Sequence, residues 1–151
     1  MKVPLREARY GDVILFRPTS VFGWLIAAID GGDYSHAAIY FDKRHGRHHF
    51  VESLTDGGVT YSILDENAGN FDVFRPNSTP LVGKAELVSL VGRRRYDFLK
   101  IVRILSYHLF GRPVTRDGEQ KLICTELVNW VYGYELTDDL STPRTIHDAV
   151  K

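Results

Sequence analysis

The sequence predicts an α+β domain in which an antiparallel sheet packs against helices. Segments with the alternating pattern of strands are concentrated in the first half of the chain, and segments with helical periodicity follow in the second half. No repeat, linker or low-complexity stretch divides the chain. Because 151 residues with 44% hydrophobic content can bury a core without disulfides, we expect a single domain over residues 1–151.

Five strands are expected before residue 77. Each is a short alternating segment bounded by turn-forming residues, and they lie at 11–18, 34–41, 47–53, 59–63 and 71–76. A turn over 42–46 joins the second strand to the third. A helix follows the first strand, with Thr19 or Ser20 as its N-cap and Gly31-Gly32 as its end.

Four further helices are expected after residue 76. The first covers 77–94, and the second covers 96–111 with a continuous apolar stripe. The third lies within 121–133 and contains the only cysteine of the chain. The last spans 141–150, with Thr142 as its cap and a proline at its first position.

Charge and cysteine content exclude several classes of protein. The net charge is zero, so nucleic acid is not an expected partner. One cysteine excludes an internal disulfide and a cysteine-based zinc site. Residues 84–121 carry nine basic and four acidic side chains, centred on Arg93–Arg95. This local excess fits a solvated face, or else an anionic substrate or a membrane surface.

The apolar segments are short. The N-terminal region lacks the apolar core of a signal peptide, and we expect a cytoplasmic protein unless a dedicated route exports it. The longest apolar run, 21–29, has nine residues, whereas spanning a bilayer takes about 20. We expect this run to be a buried helix that packs on the sheet. The alternatives are the lining of an acyl pocket and a contact with a membrane.

Cys124 is either a core residue or a nucleophile. On a helix it shares one apolar face with Leu127, Val128 and Val131, and free cysteine is among the most buried residue types. Its place in the first turn favours a thiolate instead, because unpaired N–H groups and the positive end of the helix dipole lie there. The segment alone leaves both interpretations open.

His36 is the best candidate for a base. It lies in the second predicted strand between small residues, on the opposite side from the more apolar face. The histidines at 45, 48 and 49 have no carboxylate or cysteine at metal-binding spacing, so a solvated turn is expected there. His108 and His147 are expected to be surface or boundary residues of helices.

Strand register decides whether His36 has a carboxylate partner. If the turn centres on Arg44, His36 lies opposite Glu52, which would raise the basicity of the imidazole and fix its tautomer. A turn centred on His45-Gly46 would place Thr55 there instead. In the first register Cys124, His36 and Glu52 would supply the nucleophile, base and orienting group of thiol acyl transfer.

Four motifs in this order resemble the NlpC/P60 superfamily of papain-like thiol hydrolases. They are GDVILFRP, YSHAAIYF, HHFVES and ICTELVNWVYG. Since the histidine precedes the cysteine, the chain looks like the circularly permuted branch, with its YiiX/YebB-like proteins and lecithin:retinol acyltransferase-like enzymes. The resemblance covers residues 11–150, and the order and spacing of the motifs carry it.

The resemblance implies a permuted papain-like fold and a cysteine-dependent hydrolase. Cys124 would be the nucleophile, with its N–H as one oxyanion donor, and His36 the general base. Glu52 stands at the third position, which is histidine in the acyltransferase relatives, and Tyr34 is a weak candidate for a substrate contact. The implied substrates are amides or esters, either peptidoglycan peptides or lipids. No metal or cofactor is implied.

Two alternative functions remain on the sequence alone. One is a lipid acyltransferase of the same fold, in which a second acceptor replaces water. The other is a domain that binds a ligand or a membrane without catalysis. A peripheral membrane contact would use residues 20–30 and 93–103.

Overall fold

The computed structural model of the protein describes residues 1–54, 58–92, 123–137 and 141–151. In these residues six strands form one antiparallel sheet, together with four α-helices, which confirms the predicted α+β class. The strands are β1 (Lys2–Val3), β2 (Val13–Phe16), β3 (His36–Arg44), β4 (Arg47–Leu54), β5 (Gly58–Ile63) and β6 (Phe71–Phe74). The helices are α1 (Val21–Asp30), α2 (Lys84–Ser89), α3 (Cys124–Val131) and α4 (Pro143–Val150).

The order of strands across the sheet is β1-β6-β2-β3-β4-β5. The five predicted strands are all present, and only the two-residue β1 was missed, being too short to show an alternating pattern. The predicted helix over 96–111 and the basic patch over 93–103 lie outside the described residues.

The helix predicted over 77–94 is shorter than expected. The described helix begins at Lys84, after Gly83, and ends at Ser89. Before it, the N–H groups of Leu81 and Val82 both donate to the carbonyl of Val131, at 2.9 and 3.2 Å. These amides are therefore engaged with α3 and do not begin a helical turn.

The hairpin of β3 and β4 corrects the predicted register. Its turn is His45-Gly46, both with positive φ, at 49° and 77°, as two-residue hairpin turns require. The register shifts between Tyr40 and Asp42, and Glu52 consequently lies opposite Ala38. Of the two registers considered, the turn at His45-Gly46 is confirmed and the turn centred on Arg44 was wrong, because β3 runs on to Arg44. Thr55, the partner of His36 expected with the confirmed turn, lies outside the described residues.

The two faces of the sheet belong to different apolar clusters. Ala37, Ile39 and Phe41 pack in a cluster that includes buried residues of α3 and α4. Ala38 and Tyr40 belong to a second cluster on the alternate face. α3 packs mainly on β3 and β4, so the start of the cysteine helix is fixed against the histidine strand.

α1 is far more exposed than predicted. Ser20 caps it as expected, accepting a hydrogen bond from the Gly23 N–H at 3.1 Å. However, its buried residues are only Gly23, Ala27 and Asp30, and it packs against α4 rather than on the sheet. The expected buried helix was wrong, because the stripe that faces the protein is small and polar while the large apolar side chains point outward. In the described part of the chain, no helix has the length and apolar content to cross a bilayer.

Candidate active site

His36 and Glu52 are in direct contact. His36 Nε2 lies 2.8 Å from Glu52 Oε2. They are diagonal neighbours on adjacent strands, since Glu52 is opposite Ala38 and side chains two positions apart share a face. A carboxylate at Nε2 holds the proton on that nitrogen and leaves Nδ1 free to act as a base.

Ser62 completes the hydrogen bonding of the carboxylate. Its hydroxyl donates to Glu52 Oε1 at 2.7 Å, so each carboxylate oxygen has one partner. Glu52 is only 8% exposed, which makes these two bonds the main compensation for its burial. Sequence reasoning missed Ser62. The pairing of β4 with β5, in which Glu52 faces Thr60, would have indicated it as the diagonal neighbour.

Cys124 is the first residue of α3. Its side chain is buried, at 6% exposed, and lies close enough to the His36 ring for the imidazole to lower the pKa of the thiol. The backbone N–H groups of Ala37 and Thr125 lower the thiol pKa further. The Glu126 carboxylate accepts from the Ile123 N–H at 3.0 Å, which satisfies an amide at the N-terminus of α3. The sulfur thus lies among donors that favour its anionic form.

Cys124 and His36 each shift the pKa of the other toward its charged form. Burial by itself raises the pKa of Cys124, but the charge and hydrogen bond of His36 and the two backbone N–H groups bring that pKa below its usual value. Burial lowers the pKa of His36, yet the sulfur and Glu52 outweigh it and raise this pKa to about 10. Each group therefore favours the charged form of the other, a thiolate at Cys124 and an imidazolium at His36.

The histidine side of the site is partly open to solvent. The His36 side chain is 23% exposed. The Phe16 ring on the neighbouring strand lies 5.7 Å from the imidazole, between ring centroids, and limits its rotation. The small residues Ala37 and Ala38 follow His36 in β3, as the sequence suggested. The exposed edge of the imidazole is thus the open part of the pair, since the Cys124 side chain is 6% exposed.

Tyr34 is a packing residue in this structure. It is 5% exposed, and its hydroxyl donates to an Asp72 carboxylate oxygen at 2.7 Å. Its ring makes edge contacts with Phe74 and His147, with centroids 6.1 and 5.0 Å apart. The substrate contact suggested for Tyr34 stays a prediction.

The other histidines have different surroundings. The expected solvated turn holds for His45, but His48 is 2% exposed and its Nδ1 lies 2.8 Å from the Tyr40 hydroxyl. His147 packs on Tyr34, and His108 lies outside the described residues. Within the residues that are described, no three histidine, cysteine or acidic side chains are grouped as metal ligands.

The candidate site is thus a series of four side chains, from Ser62 on β5 through Glu52 and His36 to Cys124 on α3. Comparison with models of known protein families finds no match, and comparison with curated proteins finds no match either. The activity of the chain is therefore inferred from the geometry and charge of these residues.

Proposed function

We propose that the chain is a cysteine-dependent hydrolase of amide or ester bonds, with Cys124 as nucleophile, His36 as acid and base, and Glu52 as the orienting carboxylate. The observation that supports this most strongly is the contact of the Cys124 thiol with His36, which lowers the thiol pKa and raises the imidazole pKa. A buried core cysteine has no need of a basic partner. A nucleophile needs one, because only the thiolate attacks carbonyl carbon.

Acylation begins with the thiolate and imidazolium already formed. The Cys124 sulfur attacks the substrate carbonyl carbon, and the carbonyl electron pair moves onto oxygen. The Cys124 N–H at the start of α3 is our candidate donor to that oxyanion. The intermediate collapses as the carbon–heteroatom bond breaks, and the leaving group departs with the proton from His36.

Deacylation uses the same groups in reverse. Neutral His36 takes a proton from water, and the resulting hydroxide attacks the thioester carbonyl. Collapse of the second intermediate breaks the carbon–sulfur bond, releases the carboxylic acid and restores the thiolate beside the imidazolium. Throughout both steps the task of Glu52 is to hold the Nε2 proton and the orientation of the ring.

We also propose that the fold is the circularly permuted papain-like fold of the NlpC/P60 superfamily. In support, the histidine lies at the start of a sheet strand, the carboxylate on the next strand, and the cysteine at the start of a later helix. This is the chain order of the permuted branch. The substrates that branch implies are peptidoglycan peptides and lipid esters or amides.

Alkylation of Cys124 by iodoacetamide tests the proposed nucleophile. We expect fast alkylation of the native protein at neutral pH and a collapse of the rate in His36→Ala. His45→Asn is the matched control, because His45 is exposed and asparagine tolerates its positive φ of 49°. Alkylation of the wild type only after denaturation would contradict the proposal.

Acyl-enzyme formation separates an enzyme from a binding domain of the same fold. Incubation with p-nitrophenyl acetate should add one acetyl group to Cys124, detected by intact mass, and none to Cys124→Ser measured in parallel. Release of that acetyl group by water alone would support hydrolysis. Release only on addition of an alcohol or amine would favour the acyltransferase alternative. A thiol that alkylates rapidly but never acylates would leave only the binding function.

A further inference from the structure

The outward face of α1 is a continuous apolar surface. Val21, Trp24 and Leu25 are 89%, 64% and 49% exposed. They occupy the first two turns of the helix, and no charged residue occurs between Ser20 and Ile29. We call these three side chains the α1 apolar surface.

This surface is held in a fixed orientation. Gly23 and Ala27 form the inner side of α1, and Asp30 binds the chain at the start of α4. The Asp30 carboxylate accepts from the Arg144 N–H at 2.8 Å, and the Arg144 guanidinium donates to the Asp30 carbonyl at 3.1 Å. A helix that is held to the protein by its inner side and exposes large apolar side chains on its outer side is typical of a binding surface for another molecule or a membrane.

The charge beside the first turn of α1 is positive. Arg17, three residues before the cap, and Lys2 both pair with one carboxylate, that of Asp72. Their side chains are 43% and 63% exposed, whereas that of Asp72 is 9% exposed. Two exposed cations thus share one buried anion, so these three side chains together carry one net positive charge, which fits an anionic surface.

α1 also adjoins the strand that carries His36. A Cβ atom at Gly23 would lie 3.2 Å from Ser35 Oγ, and Ser35 immediately precedes His36. The inner side of the first turns of α1 is therefore close to the strand that carries His36. The covering partner itself does not depend on the proposed catalysis.

We propose that the α1 apolar surface docks the protein onto an anionic lipid membrane. Trp24 and Leu25 would enter the boundary between head groups and acyl chains, where tryptophan is favoured, and Arg17 and Lys2 would contact lipid phosphates. Interfacial helices combine large apolar residues with cations, and here the two cations lie outside α1, at Arg17 and Lys2. A second protein copy would need an acidic patch opposite Arg17 and Lys2.

Vesicle co-sedimentation of the full chain tests the docking. We expect binding to vesicles of phosphatidylcholine mixed with phosphatidylglycerol and weaker binding to phosphatidylcholine alone. The double variant Trp24→Ser/Leu25→Ser should bind about tenfold or more weakly, because each side chain loses its apolar burial in lipid. Ile63→Ser/Val88→Ser is the matched control, since these side chains are 52% and 43% exposed elsewhere and should have no effect.

The remaining outcomes overturn the proposal. No binding to either vesicle would do so, as would binding that the double variant retains. A concentration-dependent dimer that disappears in the double variant, without vesicle binding, would mean that a second copy covers α1. Val21→Ser, at an 89% exposed position, gives a second folded variant for these comparisons. Cys124→Ser should bind vesicles normally, which separates failure of docking from failure of the proposed hydrolase.

Discussion

At the scale of single residues, the decisive feature is that a buried thiol and a partly exposed imidazole shift the pKa of each other. Cys124 is 6% exposed, and burial alone would leave its thiol neutral and inert. The neighbouring His36 opposes this effect of burial, because transfer of one proton from sulfur to nitrogen would create two opposite charges that attract each other. Glu52 then stabilises the imidazolium at its other nitrogen, 2.8 Å away.

The role of Glu52 gives a prediction about pH. Glu52→Gln keeps the shape of the side chain but removes the charge that helps to raise the pKa of His36. The imidazolium becomes less stable, so the thiolate should form at higher pH and alkylation at neutral pH should slow by about tenfold. The alkylation rate measured from acid to alkaline pH would display this as a shift of the whole profile.

Ser62→Ala is a milder change at the same carboxylate and should have a smaller effect on the alkylation profile than Glu52→Gln. It removes the 2.7 Å hydrogen bond to Glu52 and leaves both charges in place. We expect a smaller shift of the same profile in the same direction, and no shift in Ser89→Ala, whose hydroxyl donates to a backbone carbonyl on α2. Equal profiles for Ser62→Ala and the wild type would mean that Ser62 does not position the carboxylate.

At the scale of elements, the strands and the helix caps could be predicted from the sequence. The register between strands and the packing partners of the helices could not. The alternation around His36 predicted β3, and Ser20 and Gly31 predicted both ends of α1. The contact of His36 with Glu52 was anticipated through a wrong register, and it forms diagonally because of the irregularity between Tyr40 and Asp42. Such a shift comes from tertiary packing and leaves no mark in a short alternating segment.

The prediction that α1 is a buried helix was wrong for a related reason. The run at α1 reads as uniformly apolar, and only the structure tells which side faces the protein. Its inner side is small enough for α4 to approach closely, with Gly23 and Ala27 buried. Periodicity identifies a helix and suggests that its most hydrophobic side is buried. Small residues such as glycine and alanine contribute little to such a pattern, so it does not show that their side of α1 faces the protein.

Asp72 on β6 joins several elements and gives a stability prediction. Burial raises its pKa, but hydrogen bonds from Lys2 and Tyr34 and the charge of Arg17 outweigh this, and the net pKa is below its usual 3.8. Its contribution to stability is therefore present above about pH 4 and is lost as the pH falls through its lowered pKa in the folded protein.

Asp72→Asn should consequently reduce the free energy of unfolding by about 1–3 kcal/mol at neutral pH. The difference from the wild type should shrink steadily below about pH 4, measured by urea denaturation at each pH. Asp33→Asn, at an exposed carboxylate beside Tyr34, is the control and should change little. A difference that stays constant down to acid pH would assign the loss to packing rather than to charge.

At the scale of the whole molecule, the candidate site exists only when distant parts of the chain meet. Cys124 follows His36 by 88 positions, and α3 is secured to the rest by contacts of its C-terminal end. The Tyr132 hydroxyl donates to the Gly11 carbonyl at 2.5 Å, and the Val131 carbonyl accepts from the segment before α2. The lowered pKa of Cys124 is thus a property of the complete fold.

This dependence predicts an unusual effect of urea on Cys124. In the unfolded chain the thiol returns to a pKa of about 8.5, so at about pH 6 less than ~1% is thiolate. In the native protein the contact with His36 keeps the pKa low. Alkylation at about pH 6 should therefore slow as urea unfolds the protein, whereas unfolding accelerates the alkylation of an ordinary buried cysteine.

The pH dependence of this effect supplies its control. At about pH 9.5 the unfolded thiol is mostly ionised, so urea should no longer slow the reaction. His36→Ala removes the basic partner, and in that variant urea should accelerate alkylation at both pH values. Rates followed by intact mass beside circular dichroism would place the change at the unfolding transition. Acceleration of the wild type at the lower pH would return Cys124 to the status of a core residue, because it would show that burial rather than the thiolate fraction controls the reaction.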